Sequence, residues 1–205
     1  MGVNLPNQIT LARLALAVVF FALLARFDIN RIDRQRWILD ACLVIFVIAA
    51  GTDWLDGYLA RKRNLVTAFG RVLDPFVDKV LVGGTFVFLA GPAFRDAGGG
   101  QVTHLAPWMV VLILSRELLV TGLRGFSESR GEAFGANVYG KAKMIIQSVT
   151  AAALLLIVAH FDDPARSTTA DTIMVAMVWL TVVATTASMV SYLYQARNVL
   201  ADAAS

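Results

Sequence analysis

The chain has 205 residues, of which 58% are hydrophobic and only 16% are charged. Soluble domains carry about 25% charged residues, so this composition indicates a membrane protein, and it excludes intrinsic disorder, which needs low hydrophobicity and high net charge. Cys42 is the single cysteine, which excludes a disulfide scaffold. The formal charge of +3 is expected to lie in loops at a membrane surface rather than to bind nucleic acid.

Six segments are long and apolar enough to form membrane helices, which need about 20 mainly apolar residues. In chain order they are Pro6–Phe27, Trp37–Arg61, Asp74–Phe94, Leu105–Arg124, Lys141–Phe161 and Ala170–Tyr194. The connections between them are short and polar. The sequence therefore predicts an all-α integral membrane protein, a six-transmembrane-helix bundle in which residues 1–205 form a single membrane-embedded domain.

The distribution of lysine and arginine predicts the orientation, because these residues are enriched in cytoplasmic loops. With a cytoplasmic N-terminus, the inner loops and helix ends contain Arg61, Lys62, Arg63, Arg71, Arg124, Arg130, Lys141, Lys143 and Arg197. The outer ones contain Arg26, Arg31, Arg34, Arg36, Arg95 and Arg166. The inner excess predicts a multi-pass protein with both termini in the cytoplasm.

Polar residues recur at one end of five predicted helices. In chain order these residues are Asn7, Thr10 and Arg13; Asp53, Asp56 and Arg61; Asp74, Asp78 and Lys79; Arg116, Glu117 and Arg124; and Lys141 and Lys143. Because successive helices run in opposite directions, all five groups lie at the inner face of the membrane. Charges within membrane helices are costly and usually functional, so we expect a polar pocket at the cytoplasmic interface.

The third predicted helix carries two aspartates one turn apart, Asp74 and Asp78. Pro75 removes one backbone hydrogen bond and disfavours helical geometry at Asp74. Two alternatives stay open: the helix kinks at Pro75, or it begins there with Asp74 as its cap. Both keep the two carboxylates on the same side.

Four aspartates, two from the second helix and two from the third, are expected to converge at this face. Carboxylates gathered at low dielectric repel and cannot all stay ionised unaided. Divalent cations relieve the repulsion, and ligand sets made only of oxygen suit Mg²⁺ or Mn²⁺ rather than zinc. Two ions about 3.5–4 Å apart serve phosphoryl transfer, and arginine and lysine pair with phosphates. The residue types predict a metal-dependent phosphoryl-transfer site.

The same charges also have structural interpretations, which the residue types leave open. These are a helix-end ion pair of Asp53 or Asp56 with Arg61, a buried structural network of Arg116 with Glu117 or Arg124, and positive-inside anchoring by Lys141 and Lys143.

The segment DWLDGYLARKRNLVTAFGRVLDPFVD, residues 53–78, resembles the signature of the CDP-alcohol phosphatidyltransferases, D-x2-D-G-x2-A-R-x8-G-x3-D-x3-D. All its fixed positions match: Asp53, Asp56, Gly57, Ala60, Arg61, Gly70, Asp74 and Asp78. The resemblance implies the fold of that family, a six-helix membrane bundle usually paired as a homodimer. The helix count agrees with the number of predicted spans.

Three further stretches are similar to the family members that make phosphatidylglycerophosphate. They are NLPNQITLARL near the N-terminus, SRELLVTGLRG in the fourth helix and GKAK at the start of the fifth. Those members often have threonine after the second lysine of the last stretch, where this chain has Met144.

The resemblance implies transfer of a phosphatidyl group from CDP-diacylglycerol to glycerol 3-phosphate, with release of CMP, at the cytoplasmic face of a bacterial inner membrane. It implies that Asp53, Asp56, Asp74 and Asp78 hold two Mg²⁺ or Mn²⁺ ions, with Asp78 as the candidate catalytic base. The candidate residues for binding the CDP moiety are Asn7, Gly57, Ala60, Arg61 and Gly70. The candidates for binding the acceptor phosphate are Thr10, Arg13, Arg116, Arg124, Lys141 and Lys143.

Other functions are also compatible with parts of this pattern. Cardiolipin synthases and phosphatidylinositol-phosphate synthases of the same family share the aspartates and differ in the acceptor. An ion transporter would need polar residues through the whole membrane depth, and the outer halves of these helices contain little beyond Asp40.

Overall fold

The computed structural model describes residues 5–63, 68–130, 138–161 and 168–204, and for residues 5–7, 9, 53–63, 68–75 and 198–204 it describes the backbone alone. Six α-helices cover most of these ranges: α1 Leu5–Leu24, α2 Ile32–Arg63, α3 Ala68–Leu89, α4 Pro107–Ser129, α5 Val138–His160 and α6 Thr168–Ala204. Short 3-10 helices precede α2 and follow α3. The predicted all-α architecture with six helices is confirmed.

Within the described residues, three segments are long and apolar enough to cross a membrane by length and composition: Ile29–Thr52, Val138–His160 and Thr168–Arg197. By contrast, α3 and α4 carry charged residues such as Lys79 and Glu117 within their length. α6 continues to Ala204, well beyond the predicted end at Tyr194. Its 37 residues correspond to about 55 Å, longer than a hydrocarbon core of about 30 Å.

The helices pack in an order that differs from their order along the chain. Neighbouring helices close a ring in the order α1, α2, α5, α6, α4, α3, and back to α1. In addition, α3 packs against α5 and α2. The central position therefore belongs to α3, the helix that carries Asp74 and Asp78.

α3 runs as one helix through Pro75. The alternative in which the helix begins at Asp74 as a cap is therefore wrong. Proline forgoes one backbone hydrogen bond, and membrane helices tolerate this where neighbouring groups satisfy the freed carbonyl.

Aromatic side chains fill the half of the bundle away from the polar helix ends. The Phe20 ring lies 5.2 Å from Phe21 and 6.1 Å from Phe46, measured between centroids, and Phe21 stacks on Phe88 at 5.5 Å. Cys42 is fully buried beside them, as the sequence predicts. Lipid tails are as apolar as these side chains, so close van der Waals packing is what holds the helices together here.

Two glycines let α3 approach its neighbours closely. A Cβ on Gly84 would overlap the Phe21 ring of α1, and one on Gly83 would lie 2.9 Å from Leu114 Cδ2 of α4. Small residues at such contacts allow close helix packing. Because both glycines lie one to two turns beyond Asp78, they set the distance at which α1 and α4 face that part of α3.

The connection between α3 and α4 caps the apolar end of the bundle. Gln101 Nε2 and Thr103 Oγ1 donate to the carbonyl of Leu89 at 2.6 and 2.8 Å, which satisfies the C-terminus of α3. At the same end His160 contacts Asp40 at 2.8 Å. Asp40, the one acid that the sequence placed in the outer half of a span, thus has a histidine partner.

Candidate active site

Asp78 is the signature aspartate whose side chain the structure describes, and it forms an ion pair with Arg13 of α1. The Arg13 side chain is 3% exposed, whereas that of Asp78 is 31% exposed. The ion pair holds the carboxylate in place, and carboxylate oxygens can accept protons and bind cations. Thr10 lies one turn before Arg13 on the same helix and is also buried.

Glu117 of α4 is the centre of a second group of charges. Its Oε1 accepts from Arg116 Nη1 at 2.9 Å and also forms an ion pair with Lys143 of α5. Arg116 Nη2 donates to Ser188 Oγ of α6 at 2.6 Å. Two buried cations thus share one carboxylate, and the network joins α4, α5 and α6.

Tyr192 covers the guanidinium of Arg116 from α6, with Cζ of the arginine 5.2 Å from the ring centroid. The ring also lies against Gly140, where an added Cβ would come within 2.6 Å of Tyr192 Oη. Gly140 opens the GKAK stretch of α5. The glycine is therefore needed because an aromatic side chain of another helix fills the space beside it.

Lys79 links these two groups of charges. Its ammonium donates to Thr121 Oγ1 at 2.6 Å, and that hydroxyl donates to the carbonyl of Glu117 at 2.6 Å. Lys79 directly follows Asp78 in α3. Lys79 interacts electrostatically with both Asp78 and Glu117, so the candidate base and the Glu117 network lie within electrostatic range of the same ammonium.

A column of buried polar side chains continues from the Glu117 network between α5 and α6. Gln147 Nε2 donates to Thr185 Oγ1 at 3.0 Å, and Thr181 Oγ1 donates to Thr150 Oγ1 at 2.9 Å. Sequence reasoning missed this contribution of α6. The available signal was the spacing of hydroxyl residues at 181, 185, 188 and 192, which places them on one face of an otherwise apolar helix.

The sequence-predicted residues with described side chains fall into three groups. Arg13 lies with Asp78 and buried Thr10, Arg116 lies with Lys143, and Arg124 and Lys141 are exposed. The structure describes the backbone alone for Asn7, Asp53, Asp56, Gly57, Ala60, Arg61, Gly70 and Asp74. Of the four carboxylates predicted to converge, only that of Asp78 belongs to the described side chains, so the convergence itself stays a prediction.

Two of the structural alternatives can be compared with this arrangement. Arg116 does form a buried network with Glu117, as one alternative proposed. Lys143 is 4% exposed and ion-paired, unlike a lysine that anchors a helix end in the headgroup layer. Lys141, two residues earlier, is exposed and remains compatible with such an anchor.

The donor chemistry at this end of the bundle suits a hard divalent cation. Asp78 contributes a partly exposed carboxylate, and carboxylate oxygens are the ligands that such cations prefer. Among the residues with described side chains, no group of three or more histidine, cysteine or acidic residues is close enough to hold a metal.

Comparisons with known proteins agree with the sequence pattern. A family model described as CDP-alcohol phosphatidyltransferase matches residues 3–194. The chain is 44% identical over 158 residues to the CDP-diacylglycerol–glycerol-3-phosphate 3-phosphatidyltransferase of Bacillus subtilis (strain 168), covering 75% of this chain and 77% of the relative. The protein of the same name from Sodalis glossinidius (strain morsitans) is 32% identical, over 97% of this chain and 97% of the relative. The one from Rickettsia bellii (strain RML369-C) is 39% identical, over 75% of this chain and 75% of the relative.

Proposed function

The chain belongs to the CDP-alcohol phosphatidyltransferase family, and on that premise we propose that it transfers the phosphatidyl group of CDP-diacylglycerol to sn-glycerol 3-phosphate. The products are phosphatidylglycerophosphate and CMP. The observation that carries the proposal is the position of Asp78, a partly exposed carboxylate next to a cluster of cations on α3, α4 and α5. An acceptor with a hydroxyl at one end and a phosphate at the other fits this arrangement. Relatives named for this reaction support the choice of acceptor.

The reaction forms one bond to phosphorus and breaks another. The acceptor hydroxyl oxygen attacks the phosphorus that carries diacylglycerol, the bridging pyrophosphate bond breaks, and CMP leaves with the bridging oxygen. The hydroxyl proton passes to a carboxylate oxygen of Asp78. Because an alcohol is a weak acid, a base within about 3 Å of it lowers the barrier. The ion pair with Arg13 fixes the position of the Asp78 carboxylate.

Binding of the acceptor phosphate is the role proposed for the basic residues. Arg116 and Lys143 are held by Glu117, and Arg124 and Lys141 are exposed at the same end of the bundle. Thr10 and Arg13 complete the set on α1. Since Arg13 is already paired with Asp78, its part in the reaction is to hold that carboxylate as well as to attract phosphate.

The family generally depends on divalent metal ions. We assign Asp53, Asp56, Asp74 and Asp78 as the residues that hold two ions, Mg²⁺ or Mn²⁺, because their carboxylates form an oxygen-only ligand set. Bound there, such ions neutralise pyrophosphate oxygens and stabilise the leaving CMP. The residues assigned to the CDP moiety are Asn7, Gly57, Ala60, Arg61 and Gly70.

The location of the site follows the geometry of the lipid donor. The acyl chains of CDP-diacylglycerol stay in the bilayer while the pyrophosphate lies at headgroup level, so a polar pocket at one leaflet suits both parts. We assign residues 1–205 to a single membrane-embedded catalytic domain in the bacterial inner membrane, with both termini and the active site in the cytoplasm. Two copies are expected to form a homodimer, which cross-linking in native membranes would test.

The decisive experiment measures CMP release from CDP-diacylglycerol with one acceptor at a time. Glycerol 3-phosphate is expected to support turnover in Mg²⁺, and chelator is expected to abolish it. Turnover with phosphatidylglycerol alone would point to a cardiolipin synthase, and turnover with inositol phosphate alone to a phosphatidylinositol-phosphate synthase. Full activity in chelator would overturn the metal assignment, and ion flux without CMP release would favour a transporter.

The orientation can be tested by labelling introduced cysteines in cells. Cys42, the single native cysteine, is fully buried. A Cys42→Ala background removes its thiol, so that the maleimide can react only with the introduced cysteine. A membrane-impermeant maleimide is expected to label Gly98→Cys from outside and Arg130→Cys only after permeabilisation, since these exposed positions follow α3 and α4 respectively. The reverse pattern would place the site on the outer face.

A further inference from the structure

Lys79 is a lysine outside the family signature whose position the structure defines closely. It donates to Thr121 Oγ1, and Thr121 Oγ1 donates to the carbonyl of Glu117, both at 2.6 Å. A hydroxyl has a single proton to donate. Since Thr121 uses that proton on Glu117, its oxygen can only accept from the ammonium of Lys79. The hydroxyl therefore holds the lysine in one direction, toward α4.

The ammonium of Lys79 has donors available for a ligand. A lysine ammonium carries three N–H donors, and within the described residues Thr121 is its hydrogen-bond partner. Lys79 is partly exposed, whereas Arg116 and Lys143 are 5% and 4% exposed and share Glu117. An anion can therefore reach Lys79 without breaking an ion pair seen in the structure.

The charges around Lys79 match those of a phosphate monoester. Lys79, Arg116 and Lys143 all interact electrostatically with Glu117. Arg124 and Asp78 also act on Lys79, so four cations and two carboxylates among the described side chains leave two positive charges in excess. A phosphate monoester carries a charge of about −1.5 to −2 at neutral pH, whereas a phosphodiester carries a single negative charge.

We propose that Lys79 binds the phosphate of the acceptor directly and that Thr121 is a positioning residue that holds its ammonium. The inference rests on the proposed function, because it assigns a residue to the acceptor of that reaction. Lys79 and Asp78 interact electrostatically, so a phosphate held by Lys79 keeps the acceptor in the neighbourhood of the candidate base. Lys79 thereby favours phosphate monoesters over phosphodiester acceptors.

The test compares Lys79→Met, Lys79→Arg and Thr121→Val with a matched control. Thr186 makes the same kind of bond as Thr121, from its hydroxyl to the carbonyl four residues earlier, on an exposed face of α6. Initial rates of CMP release are measured with each substrate varied in turn, and binding of glycerol 3-phosphate is measured by calorimetry with CMP and Mg²⁺ present. Thermal unfolding in detergent checks the fold of every variant.

Lys79→Met is expected to raise KM for glycerol 3-phosphate about 10- to 100-fold and to weaken calorimetric binding in parallel, as for loss of a charged hydrogen bond. KM for CDP-diacylglycerol should stay unchanged. Lys79→Arg is expected to retain most of the affinity, and Thr121→Val to raise the same KM about 2- to 10-fold. Thr186→Val should match the unmodified protein.

An unchanged KM for glycerol 3-phosphate in folded Lys79→Met would overturn the inference while leaving the proposed function intact. A fall in kcat alone, with both KM values unchanged, would also overturn it, because a phosphate anchor acts on binding. If the unmodified protein neither binds nor uses glycerol 3-phosphate, the proposed function and the inference both fail.

Discussion

Arg13 of α1 and Asp78 of α3 form an ion pair although 65 residues of sequence separate them. The pair joins the first helix to the central helix of the bundle at the end where the other charged residues collect. Because Arg13 is buried and Asp78 is partly exposed, the carboxylate is held from inside and remains open to ligands on its other side.

The first prediction concerns Asp78 as the base. Asp78→Asn keeps the size of the side chain and an oxygen that accepts from Arg13, so the protein should fold. Turnover should fall at least about 100-fold, since the amide cannot take the proton. Asp40→Asn at the opposite end of the bundle is the matched control, and its CMP release should stay normal. Near-normal turnover in Asp78→Asn would remove Asp78 as the base.

The second prediction concerns the energy of the same pair. Arg13→Gln leaves the Asp78 carboxylate without its cation. We expect the free energy of unfolding to fall by about 1–3 kcal/mol, which is less than for a fully buried pair because Asp78 is partly exposed. The double variant with Asp78→Asn should be more stable than the sum of the single losses implies. Unfolding in detergent measures this coupling, and strict additivity would show that the pair contributes no interaction energy.

The third prediction concerns Glu117, which two buried cations share. Glu117→Gln should lower Tm markedly, because Arg116 and Lys143 then repel each other without a counter-charge. Adding Lys143→Met should restore part of the lost stability, although it should not restore turnover. A double variant less stable than Glu117→Gln alone would mean that Lys143 contributes mainly by packing.

The fourth prediction compares two glycines in helices. Gly140→Ala should lower the free energy of unfolding by about 1–3 kcal/mol, because the new Cβ would lie 2.6 Å from Tyr192 Oη. Gly122→Ala is the control, since nothing described lies within 4 Å of its added Cβ. It should stabilise α4 by about 0.5–1 kcal/mol. Tyr192→Phe should recover part of the loss in Gly140→Ala, and equal Tm changes for the two glycine variants would contradict the close contact.

Local features of the sequence were enough to predict the helices, and they also led to the hypothesis that one end of the bundle carries the chemistry. Hydropathy along the chain identified six helices, and charges at alternate helix ends identified one polar face. Helix ends were less accurate. α6 extends to Ala204 because a helix continues past the apolar core of a membrane, and the buried Ala196 shows that its later turns still pack inside the bundle.

The partners of the polar side chains were not predictable in the same way. Arg116 and Lys143 both appeared as phosphate-binding cations. A network of Arg116 with Glu117 was one alternative that the sequence left open, but nothing in the sequence indicated that Lys143 of α5 shares the same carboxylate. Ser188 and Tyr192 resembled ordinary residues of an apolar helix. Their roles depend on α6 packing against α4 and α5, a neighbour relationship that hydropathy does not encode.

The sequence by itself determined the six helices, the polar face and the eight-position aspartate signature, because each depends on composition and spacing within a short stretch of chain. The tertiary structure decided which charges meet. It paired Arg13 with Asp78, gave Glu117 two cations and directed Lys79 toward Thr121. The physical reason is the order of the helices around the bundle, since side-chain ion pairs and hydrogen bonds act over a few ångströms between helices that are far apart in sequence.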